Sequence, residues 1–296
     1  MSRCDLPTRE TIPARYDYHR PRSLEEASRL GLSLQGARFI AGGTDLLVRI
    51  RAGNTRPEAL VSLRGIEGLA GIEIGPQTRI GATTLIADIA SHPGLRESFP
   101  VLCEAAGRLG SEQIRNAATI GGNLCNASPC ADTAPALLVL DARVRLWSVD
   151  AVREVPLVEF FTGPGQTCMK AGELLHSILL QAPTTSARSI FFKKGRVAMD
   201  LATASVAGWM HMDADRCVQA RFAAGSVAPL PLRLTRVEEL LRGAQVTPER
   251  IAEARRLAEQ DVKPITDLRS SADYRRQIVG VYVQRAIETL SRGTQR

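Results

Sequence analysis

Two glycine pairs carry the first chemical signal in this chain. One lies in FIAGGTDLL, Phe39 to Leu47, and the other in ATIGGNL, Ala118 to Leu124. Each has a short apolar lead, a Gly-Gly pair, a small hydrogen-bonding residue and a renewed apolar run. Glycine has no Cβ and takes positive φ freely, so the chain can turn sharply there and bring its backbone close to a ligand. Successive N–H groups in such a turn form a concavity for an anion, and a diphosphate suits it. Thr44, Thr119 and Asn123 can add side-chain hydrogen bonds. On the residues alone, a phosphate-bearing ligand and a plain turn between strands stand about level.

The second pair is followed by Cys125 and Cys130, spaced C-x4-C. A plant-type iron–sulfur loop continues C-x2-C, but the third ligand position is Thr133. A zinc site needs two further ligands, and His19, His92, His176 and His211 form no ligand pattern. No metal site is expected. Asp132, followed by Thr-Ala-Pro, reads as a helix start with Asp132 or Thr133 as N-cap and Pro135 in the first turn. No G-x-G-x-x-G follows a strand and no Walker loop is present, so the ordinary dinucleotide fold is disfavoured. No triad or carboxylate pair stands out, and no catalytic residue is assigned.

The elements that must hold these residues mix short strands with helices. SLEEASRL, residues 23–30, reads as a helix with Ser23 as N-cap and Glu26 completing a capping box. A short strand from Arg38 to Ala41 leads into the first glycine pair. ALVSL, IEIG and RIGATT are further short β-rich runs. FPVLCEAAGRLG reads as a helix ending at Gly110, and DARVRLWSVDAVREVPL as two strands joined near Asp150. QAPTTSARS, Gln181 to Ser189, reads as a linker. Strands follow it, then three helical patterns, the last with Ile278, Val281, Val283 and Ile287 on one apolar side. The whole is α+β, with domains expected over 1–184 and 188–296.

Bulk properties exclude several classes. The chain has 296 residues, 44% apolar and 23% charged, enough for a large core without disulfides. Six cysteines at irregular spacing, without a visible leader, argue for reduced thiols and a cytoplasmic location. No run approaches the ~18 apolar residues of a membrane helix. The net charge of +7 is scattered among acids and aromatics are only 4%, which disfavours nucleic acid.

AGGTDLL and TIGGNLCNASPCADTAPALLVLDA together resemble the two FAD-binding signatures of the medium, flavoprotein subunit of molybdenum hydroxylases, the family of xanthine dehydrogenase and carbon monoxide dehydrogenase. FFTGPG, Phe160 to Gly165, and FFKKGRVAMDLATASVA, Phe191 to Ala207, resemble further segments of the same subunits. The resemblance implies an FAD-binding region of two α+β subdomains (the PCMH-type fold) followed by a small C-terminal domain of a short sheet and helices. It implies that Phe39, Ala41, Gly42, Gly43, Thr44 and Asp45 wrap the FAD diphosphate. Ala118, Thr119, Gly121, Gly122 and Asn123 would meet the cofactor from the other subdomain. Asp132, Leu175 and Lys193, or Lys194 in its place, would complete the contacts.

The resemblance also implies partners. A large subunit would carry the molybdenum cofactor and a small one two two-iron two-sulfur clusters, in a dimer of heterotrimers. This chain would take electrons from the clusters and pass them to an external acceptor. An N-heterocycle such as xanthine is the leading substrate of the complex, with aldehyde, carbon monoxide or an aromatic acyl-CoA as alternatives. The four-cysteine insertion of 4-hydroxybenzoyl-CoA reductase-type subunits is missing here. A stand-alone flavin oxidoreductase and a scaffold that has lost its flavin are the readings from other classes.

Overall fold

The computed structural model describes residues 16–184 and 186–292. The N-terminal stretch with Cys4, and position 185 in the expected linker, lie outside the described residues. The chain opens with a small parallel sheet in the order Asp17–His19, Ala59–Ser62, Arg38–Ile40. Parallel strands need a crossover, which the helix Leu24–Ser33 supplies. Ser23 caps it as expected, its side chain accepting from the Glu26 N–H, while the Glu26 carboxylate accepts from the Arg22 N–H. Leu60 and Val61 are wholly buried, as the middle strand of such a sheet requires.

A five-stranded antiparallel sheet follows, in the order Ile72–Glu73, Gln77–Gly81, Leu174–Gln181, Arg143–Trp147, Val152–Pro156. Its central strand is the last in sequence, so this unit closes only when the chain returns. A group of short helices shares its core, with Ile80, Ile86, Leu102, Ile120, Leu137, Val144 and Ile178 in one cluster. The helix at FPVLCEAAGRLG ends earlier than expected, at Gly107, and Gly110 takes φ 51° in the turn beyond. The expected linker is shorter than its composition suggests. Pairing continues through Gln181 and resumes at Ala187.

The C-terminal sheet runs Ala187–Lys194, Ala204–Asp213, Arg216–Gly225, Leu232–Arg233, all antiparallel. It is covered on both faces. Val206, Met210, Phe222 and Ala224 meet the helices Pro248–Asp261 and Ala272–Ser291. Phe191, Ala207, Trp209 and Ala223 instead join the core of the first half. This explains why ASVAGWM is apolar without alternation: both sides of the strand are buried. The last helix docks through Val279, Val283, Ala286, Ile287 and Leu290, while Ile278 and Val281, placed on its apolar side by pattern, sit on the half-buried shoulder. Each such aliphatic side chain contributes about 1.5–3 kcal/mol when fully buried.

The short helix Thr133–Val139 sits between the two halves. Its last carbonyls would be orphaned inside the protein, as at any helix C-terminus. Arg233 Nη1 donates to Leu138 O at 3.0 Å and Arg221 Nη1 to Val139 O at 3.3 Å. Both cations also complement the negative end of the helix dipole. Asp141, at φ 49°, holds Arg233 at 2.6 Å and Arg221 at 2.9 Å, and Arg221 lies over the Trp209 ring at 4.2 Å. Glu238, buried, closes the network by accepting from Arg233 Nε at 2.6 Å and the Phe222 N–H at 2.9 Å. Arg233→Met should therefore strand a buried carboxylate and cost about 3 kcal/mol of stability. Urea unfolding measures this, and a loss below about 1 kcal/mol would place the network among ordinary surface pairs.

Candidate functional site

A cavity of about 510 Å³ opens where the two glycine segments meet the loop 199–201 of the C-terminal sheet. Its size lies within the range of small-molecule sites. The two segments interlock. A Cβ on Gly42 would stand 2.1 Å from Ala117 O and 2.9 Å from Ala118 Cα, so only glycine allows the approach. Gly43 takes φ 72° and turns the chain from the strand Arg38–Ile40 into the helix Leu46–Arg51.

The backbone of the first segment is unspent. Among the described residues, the N–H groups of Gly42, Gly43, Thr44 and Asp45 have no acceptor, whereas Leu47 N–H returns to Gly43 O. Four successive free donors lining a cavity form an anion nest. Asp45 begins the helix without a side-chain cap bond, which leaves its exposed carboxylate at the rim.

The second segment differs from the turn expected of it. ATIGGNL runs directly into a helix, Ile120–Cys125, with Thr119 as N-cap accepting the Gly122 N–H at 3.1 Å. Gly121 N–H is held by Ala82 O at 2.8 Å and Asn123 N–H by Thr119 O at 3.0 Å. A Cβ on Gly121 would strike Ala82 O at 2.6 Å. This glycine therefore serves close packing, and the second motif is no anion nest. It offers the cavity side chains: Asn123 takes the Thr133 hydroxyl on its Oδ1 at 2.6 Å, and Asn126 and Ser128 stand beside it.

Asp132 precedes the helix Thr133–Val139, but its carboxylate does not cap it. Asp132 holds the N-cap position as expected, but the side-chain cap bond does not form because Oδ2 turns to Lys193 Nζ at 2.8 Å, while Oδ1 is buried with no partner. Lys193 comes from the strand Ala187–Lys194 and donates a second bond to Arg108 O at 2.8 Å. The two side chains are 5% and 4% exposed, so this pair crosses between the halves in a low-dielectric place. Burial pushes the Asp132 carboxyl up to about 6, and the Lys193 ammonium opposes the rise. Lys194 is exposed on the far side of the strand, so geometry separates two lysines that sequence does not.

Phe39, Ala41, Gly42, Gly43, Thr44, Asp45, Ala118, Thr119, Gly122, Asn123 and Asp132 all line this cavity. Gly121, Leu175 and Lys193 do not. Leu175 faces Leu146 across the sheet within the core, and Lys193 stands behind Asp132. Sequence reasoning passed over Arg38, Arg49, Met199, Asp200 and Leu201, which also line it. Gly165, from FFTGPG, is there too. The loop with Met199 is pinned by Arg196 on Asp200 at 2.6 Å and by buried Arg275 on Thr203 O at 3.2 Å. The sequence marks this loop by the family resemblance of FFKKGRVAMDLATASVA, while the apolar residues of GRVAMDLAT have no strand or helix period.

Cys125 and Cys130 both line the cavity as free thiols. Cys125 contacts Met169 Sδ at 3.8 Å, and burial pushes its thiol up to about 12, which keeps it protonated at neutral pH. Among the described residues no three His, Cys, Asp or Glu side chains gather as a metal site would need.

Removing one member of the buried pair leaves the other uncompensated. Lys193→Met should cost about 3–5 kcal/mol, and adding Asp132→Leu should restore most of it. Thermal or urea unfolding of both variants tests this, and a double variant no more stable than Lys193→Met would refute the pairing.

Comparison with known proteins accords with this architecture. A family model described as the FAD binding domain in molybdopterin dehydrogenase matches residues 14–183, and one for the CO dehydrogenase flavoprotein C-terminal domain matches residues 190–290. The xanthine dehydrogenase FAD-binding subunit of Escherichia coli is 31% identical over 274 residues, covering 91% of this chain and 94% of that protein. The carbon monoxide dehydrogenase medium chain of Afipia carboxidovorans is 33% identical, covering 94% and 97%. A structure of carbon monoxide dehydrogenase from Hydrogenophaga pseudoflava superposes with a TM-score of 0.92 at 33% identity, covering 94% of this chain and 98% of that one. The chain therefore belongs to the family of FAD-binding medium subunits of molybdenum hydroxylases, the xanthine and carbon monoxide dehydrogenase type.

Proposed function

We propose that this chain holds one FAD noncovalently in the cavity and serves as the electron-output subunit of a molybdenum hydroxylase. The observation that carries the placement is the set of four unspent amides at Gly42 to Asp45, in residues that line the same cavity as Asp132, whose buried Oδ1 has no partner. That donor set fits FAD. The amides suit its diphosphate, and a buried carboxylate oxygen without a partner suits a ribityl or ribose hydroxyl. When bound, FAD supplies the redox chemistry, and the chain supplies position and electrostatics.

Within this reading, Phe39, Ala41, Gly42, Gly43, Thr44 and Asp45 form the diphosphate side. Ala118, Thr119, Gly122 and Asn123 form the facing wall. Gly121, Leu175 and Lys193 act from behind the wall: Gly121 seats the second motif on Ala82, Leu175 fills the core beneath, and Lys193 fixes Asp132. The division into 1–184 and 188–296 belongs to the same reading and rests on the short unpaired connection after Gln181.

We take the complex to be a dimer of heterotrimers with a large molybdenum-cofactor subunit and a small iron–sulfur subunit, working in the cytoplasm. Free thiols among the described residues favour that compartment. No helix among the described residues is long and apolar enough to cross a membrane. Xanthine is the substrate favoured for the assembly, with the Escherichia coli subunit as the supporting relative. Carbon monoxide is the second reading, favoured by the 33% identity to the medium chains.

Purified chain should release about one FAD per polypeptide on acid precipitation, with the flavin left in the supernatant. A folded chain that takes up no FAD on reconstitution would sink the proposal, and flavin in the pellet would turn it to a covalent enzyme. The Asp132 carboxyl sets a pH dependence. Its ionised form is the acceptor, so FAD affinity should fall as pH drops through about 6. Asp132→Asn should flatten that profile; fluorescence titration from neutral pH down to about 5 decides it.

A further inference from the structure

We propose that Arg38 and Arg49 form a cationic clip that neutralises the ligand's diphosphate at the first glycine turn. This rests on the FAD reading above and deepens it to the charge that recognises the ligand. Arg38 opens the strand Arg38–Ile40 and Arg49 lies in the helix Leu46–Arg51. The turn between them folds both back onto one cavity, which they line together with Gly42, Gly43, Thr44 and Asp45.

Neither guanidinium has an ion-pair or hydrogen-bond partner among the described residues. Many other arginines are engaged. Arg79, Arg145, Arg153, Arg196 and Arg233 each hold a carboxylate. Solvated arginines are common on any surface. These two are set apart by the four unspent amides that lie between them in the chain and beside them in the cavity wall.

The charge balance is what the amides cannot supply. A diphosphate diester carries two negative charges at neutral pH, and neutral N–H groups orient its oxygens without cancelling them. Asp45 adds a third negative charge at the same rim. Two guanidiniums offset two of these three charges through charge-assisted bonds to phosphate oxygens. Because they sit at the exposed end of the site, their effect is screened by salt. They also discriminate: a flavin without the diphosphate gives the clip nothing to hold.

The test is FAD titration of the full flavin-free chain at low salt and at about 0.5 M salt, comparing wild type with Arg38→Gln/Arg49→Gln and with Arg38→Lys/Arg49→Lys. At low salt the glutamine pair should raise the FAD dissociation constant roughly tenfold per lost charge, with a smaller difference at high salt. The lysine pair should recover most of the affinity, and the flavin-free glutamine variant should melt as wild type does. A glutamine variant that binds FAD like wild type at low salt overturns the proposal. So does a loss that lysine does not rescue, or one that accompanies a lowered melting point. Wild type that binds no FAD at all fails the parent reading instead, which keeps the two failures distinct.

Discussion

Everything at the cavity depends on how the helix Thr133–Val139 is fastened. It belongs to the first half in sequence, yet both of its ends are held by the second half. At the C-terminal end, Arg221 and Arg233 take its last carbonyls and meet again on Asp141. At the N-terminal end, Asp132 holds Lys193. A helix of two turns has little stability of its own. Fixed at both ends, it becomes a rigid wall element, and Asp132 is aimed by it. The cavity is thus a product of the contact between the halves, although most of its lining comes from the first.

The two glycine motifs look alike in sequence and do different physical work. The first spends its glycines on backbone freedom: Gly43 takes a positive φ, Gly42 allows contact with Ala117, and the amides stay unbonded. The second spends Gly121 on packing against Ala82 and satisfies its own N–H groups through Thr119 and Ala82. One is a donor surface, the other a strut that brings Asn123 and the following helix into place. Satisfied backbone at the strut and unsatisfied backbone at the nest are consistent with a single ligand anion held on one side, since buried donors left unpaired on both sides would cost stability without return.

Much of this was legible from residues alone. The N-cap at Ser23, the strands on either side of Asp150 and the three late helices appear where local propensity and pattern put them, because their signals are short-range, although the Glu26 carboxylate accepts from the Arg22 N–H and does not close the capping box on Ser23. The family signature places Phe39 to Asp45 and Ala118 to Asn123 at one ligand, and both segments line one cavity. What escaped has a common cause. Asp132 followed by Thr-Ala-Pro has every local mark of a cap, and only a lysine 61 residues later in sequence diverts it. The choice of Lys193 over Lys194 is a matter of strand facing, which slips with one residue of register. Met199 and Leu201 reach the cavity from a loop with no periodicity, fixed by Arg275 far along the chain. Such pairings are tertiary, and a single sequence carries no local trace of them.

The buried pair also shows what the site is arranged to favour. An Asp–Lys pair taken out of water gains little over an apolar pair of the same shape, because desolvation offsets the attraction. Fold stability alone gives no reason for it to stand at the seam between the halves. Its geometry gives one. Lys193 uses one donor on Asp132 Oδ2 and another on Arg108 O, which ties the carboxylate to the C-terminal sheet and leaves its buried Oδ1 without a partner. A carboxylate so placed is an unmet acceptor until a hydroxyl reaches it, and its ionised form persists at neutral pH because the ammonium opposes the desolvation that would protonate it. The pair trades a little stability for an acceptor of fixed direction. That direction exists only when the C-terminal sheet is docked, so under the proposed FAD reading cofactor affinity and the union of the two halves would be linked through the same three atoms: Nζ of Lys193 and the two carboxylate oxygens of Asp132.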